Sequence, residues 1–526
     1  MKTTVLRLTQ NQWAQIHDFI RNTPQVEQFG FLLARRAVSQ LGEEIFLGQK
    51  MIFAERKDME IQSAGYARPG RKLQGLAYQL AHDEDLSIID LHTHTHAGQP
   101  HFSSIDDHHG QMNAAYVTEH FPSKCRMGMV VLNQEATAFE GRIYDPEARR
   151  FDILHRVELL GSPISCMPAP DELTASDQEL FARHSLISGW NQSRLAAVRV
   201  GLAGCGGTGA LMLQGLVGMG VGRQAGIIIC DPDRVEKSNL PRLPYAGPKD
   251  ASHFKVRIAK LFHYRRDRRV RVRPYCLGVQ SFWAREALKT AHLLVGCVDS
   301  EAARSALMEL SLRYLIPYLD VATEIVPVGG GKYDSVGQVR VVLPGKTGCL
   351  FCCGGIDTQE VAAERMPRRW RLQRERAGYV RNTQITPTPA VIHLNAILTG
   401  LALSHMAKLI QGEDFSGHEH LYYSRNRDSI MAVACKPNPE CPACGPGGIL
   451  GAGDPIEENP GSGSTELMEV GPTECPEGGD GGKVTDMEVA QVSNHDSGTA
   501  KADGETHRMP FWSWLCGRRP HIQKLN

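Results

Sequence analysis

"VRVGLAGCGGTGALML", residues 198–213, leaves few folds open. An aliphatic run stops at Gly204, and glycines recur at 206, 207 and 209 before an apolar helical stretch begins. A strand that turns so tightly into a helix keeps that helix packed against it, a unit that belongs in a parallel α/β layer. Gly204 permits the turn, Gly206 and Gly207 let backbone N–H groups approach a phosphate, and Gly209 permits close helix–strand packing. "QAGIIICD", "RVRVRPYCLGV" and "AHLLVGCVD" repeat the buried-strand pattern further on, separated by Gly-rich turns and helical stretches.

A dinucleotide dehydrogenase shares this turn, and Asp231, ending the next strand, suits a ribose in either case. The residues beyond Asp231 separate the two. "DPDRVEKSNLPRL" (231–243) supplies Asp233, Asn239 and Arg242, "HFKVRIAK" supplies Lys255, and "LLVGCVDSEAAR" puts Asp299 at a strand end. Cations and a carboxylate gathered at strand C-termini suit a triphosphate with magnesium, and a nicotinamide would not require them. The set resembles the ThiF/MoeB-type activating enzymes, with their GxGGxG, D-x-D…S-N-L-x-R, downstream lysine and V-D-N/S. The resemblance covers about 180–446 and implies an α/β, Rossmann-like adenylation domain that takes ATP and Mg2+. It implies a ribose contact from Asp231, phosphate contacts from Asn239, Arg242 and Lys255 with Asp233 in the same set, and magnesium positioning by Asp299. Arg183, in "ELFARHSLI", stands where the family has an arginine that reaches a partner protomer's ATP, although the family's "RYSRQ" context is absent. A homodimer through this domain is the matching expectation.

"IIDLHTHTHAGQPHFSSIDDHH" (88–109) poses a second question, because it crowds metal-capable side chains into one loop. Zinc takes His nitrogen and carboxylate oxygen, and a catalytic site keeps three protein ligands with one position open. Histidines at i and i+2 near a strand end project to one side, and a helix starting at "FSSIDD" can add a carboxylate. A hydrolytic site also needs a base for the attacking water, and Glu27 in "TPQVEQFGFLL" precedes a strand. Glu27 with Gly30, His-x-His and Ser-x-x-Asp resembles the JAMM (JAB/MPN) metallopeptidases over residues 1–150. The resemblance implies zinc ligation by His92, His94 and Asp106, acid–base work by Glu27, and a hydrogen bond from Ser103 to the tetrahedral intermediate. The register is open to a second reading, His94, His96 and Asp107 with Ser104, whose seven-residue gap is the family's commonest. The first is preferred because "DLHTH" continues the strand and "FSSID" fits the F-S-x-x-D shape.

Cys349-x-x-Cys352 and Cys441-x-x-Cys444 have the spacing of a closed, structural four-cysteine zinc site. A long insertion between such pairs is usual in ThiF/MoeB-like proteins. Many relatives also use a catalytic cysteine in the crossover, yet no cysteine lies between Cys353 and Cys435. The expectation is therefore that the reaction stops at the adenylate or passes directly to a partner's thiol or sulfur donor, with Cys353 as the nearest candidate nucleophile and Cys516 as a remote one.

Lys and Arg together balance Asp and Glu at 58 each, which points to neither nucleic acid nor membrane. No apolar run is long enough to span a bilayer and the start has no signal-peptide core, so a cytoplasmic location is expected. The domains expected are 1–150, a proline-containing linker at 151–175, 176–446, and a low-complexity tail at 447–526 that should be disordered. Ser176, with Glu179, reads as the capping box of the first helix after the linker. The whole reads as an α+β JAMM domain fused to a ThiF/MoeB-type domain. One half would hydrolyse the bond after the C-terminal glycine of a ubiquitin-like protein; the other would adenylate such a C-terminus, with a conjugating enzyme as a possible partner. A sulfur-carrier adenylyltransferase with a trimming protease, and a scaffold with vestigial sites, are the alternative readings.

Overall fold

The computed structural model describes residues 2–455, apart from 368, 372, 374–388 and 415. The strands of the first half are β1 (Thr3–Thr9), β2 (Phe29–Val38), β3 (Glu43–Phe53), β4 (Met59–Ser63), β5 (Tyr66–Pro69), β6 (Ser87–Thr93), β7 (Met127–Leu132), β8 (Phe139–Asp145), β9 (Arg150–Ile153), β10 (Arg156–Leu160) and β11 (Ile164–Met167). Nine of them form one sheet in the order β11-β10-β1-β3-β2-β6-β7-β8-β9, while β4 and β5 make a separate hairpin. Every residue of β6 is buried. Helix Gln10–Asn22 covers one face through Ile16 and Ile20. Helices Arg71–Asp83 and Ser104–His120 cover the other through Ala77, Tyr78, Ala81, Ala114 and Val117. A strand buried on both faces needs cover on both faces, and these three helices supply it.

In the second half, β12 (Val200–Ala203), β13 (Ile227–Cys230), β14 (Val272–Tyr275), β15 (Leu293–Gly296), β16 (Tyr318–Gly329), β17 (Lys332–Val342), β18 (His420–Ser424) and β19 (Ser429–Val433) form a sheet in the order β14-β13-β12-β15-β16-β17-β18-β19. The first five are parallel and the last three antiparallel. Chain order reverses between β12 and β15, so a crevice opens beyond their C-terminal ends, where open α/β sheets bind ligands.

Three expectations change. Residues 156–167, expected within a linker, form β10 and β11: β10 pairs in parallel with β1, and β11 is an edge strand flanked by Pro163 and Pro168. Proline is tolerated at the ends of edge strands. The helix after this segment is capped by Thr174, not Ser176, because the Thr174 hydroxyl accepts from Asp177 N. Residues 447–455, expected in the tail, are packed: the Asp454 carboxylate accepts from Val38 N, Lys289 Nζ and Tyr314 Oη at 3.0, 2.9 and 2.6 Å. The remainder of the tail, with Cys516, lies outside the described residues.

Asp454 belongs to a polar seam between the two sheets. Arg7 on β1 is fully buried; its Nε donates to Glu158 Oε2 on β10 at 2.9 Å, and its Nη1 donates to the carbonyls of Lys289 and Tyr314 at 3.1 and 3.0 Å. His292 Nδ1 accepts from Arg199 N, so the neutral ring carries its proton on Nε2 and donates it to Glu158 Oε1 at 3.2 Å. Around this seam, Val5, Ala37, Ile45 and Leu47 of the first sheet share one apolar core with β12, β13 and β15 of the second.

Candidate functional site

β2 and β6 are antiparallel with Phe29 opposite His92, and continuing that register sets Glu27 opposite His94. Glu27 Oε1 lies 3.8 Å from His94 Nε2. Helix Ser104–His120 brings the third group: Ser103 is its N-cap and Asp106 its third residue, and the two side chains form a reciprocal capping box. Ser103 N and Oγ both donate to Asp106 Oδ2, at 2.7 and 2.8 Å, which holds that carboxylate toward His92 Nε2 at 3.9 Å. The Ser103 hydroxyl, expected to face substrate, is thus engaged with Asp106.

His94 is common to both registers, and the residues particular to the alternative one are paired elsewhere or exposed. Asp107 pairs with Arg142 at 2.6 Å, and His96 is exposed. The Arg142 guanidinium lies over the Phe102 and Phe151 rings, an anchor that the sequence reading did not include.

Burial, reinforced by the Asp106 carboxylate, pushes the Glu27 carboxyl up to about 7. Burial pushes His92 down to about 4 and also lowers His94, so both imidazoles stay neutral, as metal ligands must be. His92 Nε2 is buried and has no hydrogen-bond partner among the described residues. An orphaned nitrogen facing a carboxylate fits a missing cation. Donor atoms in this set stand farther apart than in the four-cysteine cluster, where they all lie within 4.8 Å of one another.

In the second half, the glycine turn leaves β12 at the crevice. Gly204 has φ +86°, and a Cβ there would sit 2.4 Å from the Cys297 carbonyl oxygen; one on Gly209 would sit 1.9 Å from the Gly204 carbonyl oxygen. Nothing lies within 4 Å of a Cβ at Gly206, so the cradle is open on that side. Asp231 braces the turn: Oδ2 accepts from Cys205 N at 2.6 Å and Oδ1 from Asp233 N at 2.8 Å. Burial raises its carboxyl against the pull of Lys255. Lys255 Nζ donates to Asp233 Oδ2 at 2.7 Å. Asn239 is buried in the short 3-10 turn Lys237–Arg242. Arg242 donates to Ser238 O at 2.9 Å, and its stem would meet a Cβ on Gly207. Asp299 is exposed just past β15.

Arg183 is exposed before the turn His184–Leu186, and among the described residues no hydrogen bond or ion pair joins it to this set. Sequence reading missed Asn395, which is buried in helix Ile392–Gln411; its Nδ2 would lie 2.3 Å from a Cβ on Gly207. Thr208 and Thr323 hydroxyls both donate to its Oδ1 at 3.3 Å. An amide inside the apolar run "HLNAILTG" was the available signal.

The sulfurs of Cys349 and Cys352 stand 3.7 Å apart, Cys349 and Cys441 3.6 Å, and Cys352 and Cys444 3.4 Å. Four thiols converging from segments 92 residues apart fit a closed tetrahedral ion. Cys353 is joined to Cys435 in a disulfide and is not the free thiol expected of a nucleophile.

A family model described as "ThiF family" matches residues 180–443, half of the chain. The chain belongs to the ThiF family. It is similar to the SAMP-activating enzyme E1 of Haloferax volcanii, 25% identical over 295 residues, 54% of this chain and 94% of that protein. It is also similar to the sulfur carrier protein adenylyltransferase of Thermus thermophilus, 29% identical over 48% of this chain and 84% of that protein. The Nedd8-activating enzyme E1 catalytic subunit of Drosophila melanogaster is 32% identical over 29% of this chain, and only 34% of that subunit is spanned. Among solved structures, E. coli MccB aligns over 52% of this chain and 74% of its own at 18% identity, with a TM-score of 0.41, too low to bear on the fold. No helix among the described residues is long and apolar enough to cross a membrane.

Proposed function

We propose that the second half adenylates the C-terminal carboxylate of a ubiquitin-like or sulfur-carrier protein, using ATP and Mg2+. The observation that carries this is the open glycine cradle at the strand-order reversal, with the Arg242 stem against Gly207, Lys255 beside Asp231, and Asn239 in the turn that leads to Arg242. Backbone N–H groups of the turn and these side chains would hold the phosphates. Asp231 would face the ribose, and Asp299, exposed at the rim of β15, would hold magnesium against the pyrophosphate. The carboxylate oxygen attacks the α-phosphorus and pyrophosphate leaves. A homodimer through this half, with Arg183 reaching the partner's nucleotide, is part of the same reading. Pyrophosphate exchange dependent on a Gly-terminated protein tests it.

For the first half we infer a JAMM-type zinc peptidase in the register His92, His94 and Asp106. The orphaned His92 Nε2, the Ser103–Asp106 box and the Arg142–Asp107 pair support that register. A zinc ion held there would polarise the scissile carbonyl. Glu27, whose carboxyl burial raises, is placed to take a proton from the attacking water and return it to the leaving nitrogen. The bond expected is the one after the C-terminal glycine of a ubiquitin-like protein, and cleavage of a Gly-terminated fusion tests it. The four cysteines would hold a structural zinc with no open position.

A further inference from the structure

Cys353, Cys435 and His420 form a second convergence of ligands, distinct from the four-cysteine cluster: one donor atom from each lies within 4.8 Å of the others. His420 opens β18, between Arg340 of β17 and Val433 of β19. Cys435 lies two residues beyond β19, and its carbonyl accepts from Gly348 N at 2.8 Å. Cys353 follows Cys352, and Arg340 Nη1 donates to Gly355 O at 3.1 Å, which pins that turn beside β17. Two strands and one tethered turn therefore hold the three side chains on a rigid frame.

A structural disulfide accounts for the two sulfurs and leaves the imidazole unexplained. His420 is 1% exposed, and its Nε2 has no hydrogen-bond partner among the described residues. Buried polar nitrogens are ordinarily paired. An imidazole beside two thiols, one of them buried, is a soft donor set suited to zinc. Three ligands also leave a fourth position, unlike the closed cluster next to it.

We propose that Cys353, Cys435 and His420 bind a second zinc ion in this half when the two thiols are reduced, and that forming the Cys353–Cys435 disulfide expels it. In loading, the two thiols lose two protons to solvent as Zn2+ takes both sulfurs and the imidazole nitrogen. In discharge, a peroxide is the oxidant. Each thiolate gives up one electron, the S–S bond forms, the peroxide O–O bond breaks and takes up two protons, and Zn2+ leaves. The Cα atoms stand 6.4 Å apart, within the span a disulfide bridges, so the frame need not rebuild to change state.

The test uses the full chain, reduced, loaded with zinc alone and desalted, with metal counted by mass spectrometry against the Cys435→Ser and His420→Asn variants. The wild type should carry one zinc equivalent more than each folded variant. Peroxide titration of the wild type should release a first zinc equivalent in step with the Cys353–Cys435-linked peptide, and this readout decides the matter even if both variants fail to fold. Equal zinc in wild type and folded variants, or disulfide formation without zinc release, overturns the proposal.

Discussion

Replacing Arg7 with methionine should destabilise the chain by about 5 kcal/mol. Arg7 and Glu158 are 0% and 1% exposed at their side chains, so the substitution leaves a buried carboxylate without its main partner. Breaking a buried ion pair from one side costs ~3–5 kcal/mol. Glu158 keeps Arg156 at 3.0 Å and His292 at 3.2 Å, which favours the low end. The carbonyls of Lys289 and Tyr314 lose their Arg7 donor, at ~1 kcal/mol each by the lower figure for an unsatisfied buried group. The sum is a third or more of the ~5–15 kcal/mol available to a typical domain.

The pH dependence has a definite sign. Burial alone would raise the Glu158 carboxyl, but Arg7, His292 and Arg156 hold it well below its ordinary 4.5. A depressed carboxylate contributes stability that is present above its unfolded value and lost as pH falls through its folded one. Burial also lowers His292 below its ordinary 6.5, and a base held neutral in the fold likewise loses stability as pH falls below that value. Both effects weaken the wild type on acidification, and Arg7→Met should move the Glu158 part of that limb to higher pH. Urea unfolding followed from about pH 2 to about pH 8, a window that runs below the ordinary carboxylate range and through the imidazole range, measures both effects. A loss under ~1 kcal/mol at neutral pH, the value of an exposed pair, would refute the seam as a buried electrostatic joint.

Three further outcomes are expected. Glu27→Gln should keep its metal and lose ~10²–10⁴-fold in cleavage of a Gly-terminated fusion, because Glu27 acts as the base and is not a ligand; full activity would remove it from the mechanism. His92→Ala should empty the site and His96→Ala should leave it filled when metal occupancy is measured under competition, and the reverse pattern selects His94, His96 and Asp107. Gels run without reductant should show no hydroxylamine-sensitive modifier band on the wild-type chain, since Cys353 is paired with Cys435. A band that vanishes in Cys353→Ala would restore that residue as a nucleophile.

The strands that end in chemistry were legible because they are short, carry apolar runs and reach a polar or glycine residue at their ends: β6 at His92, β12 before Gly204, β13 before Asp231 and β15 before Asp299. The paired CxxC spacing likewise announces the cluster that the fold assembles. The seam was not legible. "RVELL" reads as half-polar, and only the arrival of Arg7 and His292 from 151 and 134 residues away makes Glu158 a core residue. For the same reason β10 and β11 pass for a linker, since β10 pairs with β1 at the far end of the domain and β11 only extends β10. Asn395 is hidden because its reason to exist, the floor of the glycine turn, lies 188 residues earlier at Gly207. Of the two histidine registers, the sequence favours one by shape alone, and the capping box at Ser103 supplies the physical argument.

The most direct test of the account is ATP–pyrophosphate exchange by the full chain, with labelled pyrophosphate and candidate ubiquitin-like proteins, each compared with a form lacking its terminal glycine. Exchange should appear only with ATP, Mg2+ and an intact Gly terminus. Asp299→Ala should abolish it, since no other carboxylate of the set is exposed at the end of β15. Exchange that ignores the terminal glycine, or saturable NAD binding with no binding of ATP, would contradict adenylation as the chemistry of this crevice.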